Sequence, residues 1–160
     1  MRILTVPYLK QTTPFTCGPV ALQMVLAYYG IPASEPLLSR KLNTNSDTGT
    51  RRLNMREIAL EYNLNCYVNN DAAFEEFAFL VRLGTPVIIR FLETDKNEDH
   101  YGVVVGASHD AIVVHDPWNG PSIEFRKDEF IPRWTCDVIG DCHKWLMAAS
   151  RDKLPLGKQY

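Results

Sequence analysis

Gln11-Thr-Thr-Pro-Phe-Thr-Cys17-Gly18-Pro19-Val-Ala-Leu-Gln-Met-Val-Leu-Ala-Tyr-Tyr29-Gly30 is a polar approach, then a cysteine, then an apolar run. Residues 17–29 are apolar on every face except at Gln23, which predicts a buried helix. Pro19 is tolerated in its first turn, and Gly30 supplies the stop. Cys17 thus stands at a helix N-terminus, where free N–H groups and the positive end of the dipole favour a thiolate. Gln11 lies six residues before Cys17 and can bring a side-chain N–H beside the backbone N–H of that cysteine. Two donors aimed at one point make an oxyanion hole. The segment reads as half of a thiol acyl-transfer site, whose base must come from elsewhere.

A histidine in suitable surroundings follows 83 residues later. His100-Tyr-Gly-Val-Val-Val-Gly-Ala107 and Ala111-Ile-Val-Val-His115-Asp116 are two β-branched runs around the polar turn Ser108-His109-Asp110. That is a hairpin pattern. A turn centred on residue 108 places His100 and Asp116 opposite one another on the same face. A one-residue slip in register would separate them. Imidazole and carboxylate together form the base and orienter that a cysteine nucleophile needs. His109 falls at the turn tip, away from Asp116. His115 neighbours Asp116, so in a strand their side chains point to opposite faces. Trp118 follows closely and could shield the imidazole–carboxylate bond from water.

Outward from these two segments the chain alternates little and segregates much. Residues 3–8 read as a short strand ending at Pro7. Residues 34–43 read as a helix capped by Ser34, and residues 44–52 as a polar loop. A helix over 54–62 capped by Asn54, a strand over 65–69, and a helix over 72–83 stopped by Gly84 follow. The last helix has Phe74, Phe77, Ala78 and Val81 on one stripe. Strands then dominate: 86–92, the hairpin 100–115, and one near 121–125, followed by a short helix over 127–134. The tail after Arg151 reads as poorly ordered. Helices first and strands second predict an α+β fold, an N-terminal helical layer packed on a C-terminal antiparallel sheet. The cysteine helix and the histidine sheet would meet at one cleft.

With 160 residues the chain predicts a single domain over 1–160, large enough to bury a core without staples. The formal net charge of −2 offers no electrostatic case for nucleic acid or an acidic membrane surface. No apolar run approaches the roughly 18 residues that span a bilayer, and residues 1–10 do not resemble a signal peptide. The expectation is a cytoplasmic protein. Of the four cysteines, Cys66 reads as a buried structural thiol. Cys136 and Cys142, with His143, fit no usual zinc spacing, so neither metal nor organic cofactor is expected. Asp47, Asp71, Arg51 and Arg52 read as solvated loop charges.

Singly, each site residue has an ordinary explanation. A cysteine beside an apolar helix is usually filler, a glutamine before a helix usually lies on the surface, and Asp before Pro commonly opens a turn. Taken in order they converge. Gln-x5-Cys-Gly-Pro opening an apolar helix, His-Tyr at a strand start, and Asp-Pro-Trp together resemble the double-glycine peptidases. These papain-like cysteine peptidases trim bacteriocin leaders, often as the N-terminal domain of an export transporter. The resemblance covers roughly residues 6–135, including Val6-Pro-Tyr-Leu-Lys-Gln11 and the Gly49-Thr50 loop. It implies a papain-like fold with Cys17 as nucleophile, His100 as general base, Asp116 as its orienter and Gln11 as oxyanion donor. It also implies a peptide or protein substrate, cut after small residues such as Gly-Gly. Many members carry Asp directly before the cysteine, where this chain has Thr16. No transporter segment follows, so the expectation is a free-standing member. The alternatives are a papain-like acyl transferase and a non-catalytic peptide-binding module on the same fold.

Overall fold

The computed structural model describes residues 1–93, 95, 98–135, 143–157 and 159–160. Among them, five helices pack on a seven-stranded antiparallel sheet. The strands are β1 (Arg2–Ile3), β2 (Asn65–Asn69), β3 (Val87–Leu92), β4 (Asp99–Ala107), β5 (Ala111–Asp116), β6 (Gly120–Arg126) and β7 (Leu146–Ser150). Across the sheet they run β2-β7-β3-β4-β5-β6, with β1 paired to the end of β4. The helices are α1 (Cys17–Tyr28), α2 (Glu35–Lys41), α3 (Arg52–Glu61), α4 (Glu75–Arg82) and α5 (Lys127–Thr135). Cys136 and Cys142, weighed above as metal ligands, lie outside the described residues. Among the described residues, no helix is long and apolar enough to cross a membrane.

The helix α1 is buried from Cys17 to Leu26 except at Gln23, whose side chain donates to the Ala33 carbonyl at 2.9 Å. Such a helix must be covered on all sides, and β4 of the sheet and the helix α2 do much of the covering. Gly30, at φ 71°, ends it in the left-handed region. Ser34 caps α2, accepting from the Leu37 N–H at 3.3 Å. Phe77, Phe91, Phe130, Trp134 and Trp145 fill the core, and Trp134 donates its indole N–H to the Trp145 carbonyl.

Several elements differ from the sequence expectation for local reasons. Of the segment 3–8 only Ile3, with Arg2 before it, forms ladder pairs, and the Leu4 N–H still reaches the Val105 carbonyl at 2.7 Å. Beyond it the chain is a strap held by the side chains of Tyr8 and His115 and by the Gln11 N–H. The helix α3 starts at Arg52, earlier than residue 54, with Arg51 at its N-cap. Asn54 is not its cap: it donates to the Leu42 carbonyl at 2.9 Å, closing the end of α2. The helix α4 starts at Glu75 rather than 72. The Ala72 N–H is given to the Lys144 carbonyl and the Ala73 N–H to the Glu76 carboxylate. β7, Leu-Met-Ala-Ala-Ser, has no β-branched residue, yet it is an inner strand between β2 and β3. In the tail, Tyr160 and Cys66 exchange both backbone hydrogen bonds, and Leu154 is buried.

Candidate active site

Cys17 is the first residue of α1, and Thr16 before it makes no side-chain cap. The first N–H groups of a helix have no partner within it, so the Cys17 N–H is available to a bound group. Gly18 lets loop 44–50 approach: a Cβ there would lie 2.5 Å from Thr50 Oγ1. The Thr50 carbonyl in turn accepts from the buried hydroxyl of Tyr101, on β4 beside His100, at 2.8 Å. Helix start, loop and sheet are thereby fixed against one another.

His100 and Asp116 meet, but not by the symmetric hairpin. The pairs Val103 with His115 and Val104 with Val114 give way to Gly106 with Val113 and Ala107 with Ile112. One extra residue, Val105, therefore bulges from β4. The register beyond the turn would place His115 on the His100 face; the bulge shifts it by one and brings Asp116 to that face instead. The two are diagonal neighbours rather than directly opposed, and His100 Nε2 lies 2.6 Å from Asp116 Oδ1. The other ring nitrogen, Nδ1, is left over, and Cys17 is close enough to help raise the His100 pKa.

Electrostatics follow this geometry. His100 and Asp116 are 5% and 1% exposed, so their mutual bond is little screened. Burial opposes charge on His100, but hydrogen bonds to Asp116 and Cys17, and the attraction of both, raise its pKa well above the usual imidazole value. Burial likewise opposes charge on Asp116, while the His100 and Asn119 hydrogen bonds hold its pKa below the usual carboxylate range. Phe91 covers the imidazole edge-on, ring centroids 5.7 Å apart. What Trp118 gives the pair is a backbone N–H, 2.9 Å from Asp116 Oδ1.

Gln11 is buried, and its N–H donates to the carbonyl of Pro117, next to Asp116, at 2.9 Å. Its side-chain Nε2 donates to the Thr13 carbonyl at 2.7 Å, which leaves a second Nε2–H unspent. The approach to Cys17 is tied to the sheet at further points. Tyr8 donates its hydroxyl to the Asp116 carbonyl at 3.0 Å. His115 Nε2 donates to the Val6 carbonyl, and its Nδ1 accepts from the Ser122 N–H, each at 3.1 Å. That pattern fixes His115 as the neutral tautomer, and burial lowers its pKa. His109 is exposed at the turn. Among the described residues, no group of three or more His, Cys, Asp or Glu is placed to hold a metal ion.

Sequence reasoning missed Tyr8, Thr50 and Asn119. Their roles depend on hydrogen bonds across the fold, for which no local spacing exists. Arg51 is exposed ahead of α3, in line with the sequence reading, and Arg52 is half-buried as the first residue of that helix. They stand at the start of α3 in the wall of a cavity of about 790 Å3, with Arg56 and Arg90. Neither Cys17 nor His100 lines that cavity. It adjoins them through Thr50, against Gly18, and through Arg90, paired to Asp99 at 2.9 Å.

Known proteins resemble this chain. The lactococcin-A transport/processing ATP-binding protein LcnC of Lactococcus lactis subsp. lactis is 29% identical over 133 residues, which is 80% of this chain. The match takes in only 18% of LcnC, so the chain spans less than a fifth of that relative. The peptidase domain of Streptococcus ComA, a bifunctional ABC transporter, superposes with a TM-score of 0.74 at 21% identity, covering 92% of this chain and 99% of that domain. A double glycine motif protease from an AMS/PCAT transporter, solved with its leader peptide, gives 0.71 at 22% identity and covers 92% of each chain. These two likenesses establish the fold, a papain-like one with helices on an antiparallel sheet. The model of the peptidase C39 family matches residues 5–140, most of the chain. By that match the chain belongs to the peptidase C39 family.

Proposed function

We propose that this chain is a cysteine peptidase that hydrolyses peptide bonds after small residues such as Gly-Gly, in the cytoplasm. Cys17 is the nucleophile, His100 the proton carrier, Asp116 its orienter, and Gln11 with the Cys17 N–H the oxyanion hole. One observation carries the reading. His100 is bonded to the buried Asp116 carboxylate, and Cys17, first residue of α1, is close enough to act on the same imidazole. Membership of a peptidase family supports the reaction type, and the leader peptide bound to the double glycine motif protease supports a peptide substrate.

Each step then has its residue. The Cys17 thiolate adds to the scissile carbonyl carbon, and the oxygen takes the negative charge. The Cys17 N–H and the unspent Gln11 Nε2–H stabilise it. The C–N bond breaks as imidazolium His100 gives its proton to the leaving amine. Water enters, His100 takes one of its protons, and hydroxide adds to the thioester carbonyl. The C–S bond breaks, releasing the acid and restoring the thiolate–imidazolium pair. Asp116 keeps the ring turned with Nδ1 toward sulfur throughout.

A peptide library spanning double-glycine sequences, read by mass spectrometry, tests the proposal. Wild type should cut after Gly-Gly, and Cys17→Ala should not cut at all. Cleavage by both variants, or by neither, refutes it. Products carrying an added amine in place of water would identify a transferase instead.

A further inference from the structure

Asp116 is held more firmly than orienting one imidazole requires. Its Oδ1 accepts from His100 Nε2 at 2.6 Å, from the Trp118 N–H at 2.9 Å and from the Asn119 N–H at 3.0 Å. Its Oδ2 accepts from the Asn119 side chain, with Nδ2 at 2.9 Å. The same Nδ2 reaches Glu93 Oε1 at 3.2 Å, and Glu93 is only 5% exposed. An amide nitrogen carries two hydrogens, so one serves each carboxylate. Ionised carboxylates only accept, so the NH2 end of Asn119 is the end that fits between them.

We infer that Asn119 is a positioning residue of the reaction: its side-chain amide fixes the plane of the Asp116 carboxylate and thereby aims Oδ1 at His100. The inference rests on the roles proposed for Cys17, His100 and Asp116. A carboxylate bonded through one oxygen swivels about its Cβ–Cγ bond; bonding the second oxygen removes that freedom. The charge of the donor matters as much as its place. Glu93 is close by, and Asp95, Glu124, Glu129 and Arg133 line, with Asp116 and Asn119, a cavity of about 520 Å3. A neutral donor holds Asp116 there without adding to this negative charge, whereas an aspartate at 119 would repel it. Asn119 itself is exposed, so replacing it leaves the core intact.

The test compares wild type, Asn119→Ala, Asn119→Asp, Asp116→Ala and the Asp116→Ala/Asn119→Ala double variant. Two readouts are taken: kcat and KM across pH on a cleaved double-glycine peptide, and an NMR titration of the His100 ring, which needs no substrate. Asn119→Ala should lower kcat by about tenfold or more, the size of one hydrogen bond to a charged group, with KM unchanged. The high-pH limb of kcat and the His100 titration midpoint should both move to lower pH. Asn119→Asp should lose more, increasingly as pH rises and the added carboxylate ionises. The double variant should be no slower than Asp116→Ala, because Asn119 acts through Asp116. Losses that multiply in the double variant overturn the inference. So does an unmoved His100 titration, even if melting temperature falls, since that is the mark of a merely structural residue. If wild type cleaves no peptide, the proposed function fails, while the titration still decides the role of Asn119. Should Asn119→Ala not fold, Asn119→Asp gives the same decision by the direction of its pH dependence.

Discussion

Gln11 spends one side-chain N–H on the turn it belongs to, and its backbone N–H on the end of β5. It is thus rigid before any substrate arrives, which is what an oxyanion donor requires. Gln11→Ala should lower kcat by about 10²–10³ while leaving KM and the fold close to wild type. Steady-state kinetics with a thermal melt measure both. Nearly full turnover in that variant would reduce Gln11 to a structural residue. The residue types at the candidate site were legible in the sequence because nucleophile, proton carrier and oxyanion donor each need a particular functional group. The supporting residues were not. Tyr8 and Asn119 contribute an O–H and an N–H that many side chains could supply, and only the folded contacts select these two.

At the scale of elements, the hairpin shows what a pattern can and cannot carry. The β-branched runs mark two strands and the polar turn marks their connection, so β4 and β5 were readable within a residue or two. The bulge at Val105 was not read, although Gly106 beside it is the kind of residue that marks an irregularity inside a strand. Yet that bulge decides which residue of the His115-Asp116 pair shares a face with His100. Deleting Val105 should give a regular ladder that keeps Val104 opposite Val114 and Val103 opposite His115, with His100 and Asp116 still on one face. The expected outcome is a folded protein that still turns over peptide. A folded deletion variant without turnover would show that the bulge itself, and not the pairing it leaves, holds the two side chains together. Propensity failed elsewhere for a related reason. Alanine and methionine in β7 favour helix, but burial between β2 and β3 outweighs a local preference of a few tenths of a kcal/mol per residue.

In the whole molecule, two layers carry the two halves of the proposed site. The helical layer presents Cys17 and the sheet presents His100 and Asp116, and the strap 4–11 ties them together through Val105, His115, Asp116 and Pro117. The order of helices and strands along the chain made this architecture legible. The role of the tail was hidden, since its polar composition resembles disorder. In the structure it pairs with β2, otherwise the edge of the sheet, and buries Leu154. A covered edge resists pairing with other chains. Truncation after Arg151 should remove roughly 2–3 kcal/mol of stability, from one buried leucine and two backbone hydrogen bonds. The melting temperature should fall on the order of 5–10 °C, with self-association appearing in light scattering. An unchanged melt would mean that the tail contributes nothing.

Cys17 activated by His100 is the centre of this account, and competitive alkylation measures it without any assumption about substrate. Limiting iodoacetamide at about pH 6, followed by peptide mapping, ranks all four cysteines by thiolate reactivity. Burial pushes the Cys66 thiol up to about 12, so it should stay unlabelled. Cys17 should be modified first in wild type, and its labelling should slow markedly in His100→Ala. Earlier labelling of Cys66, Cys136 or Cys142, or a Cys17 rate indifferent to His100, would contradict the account.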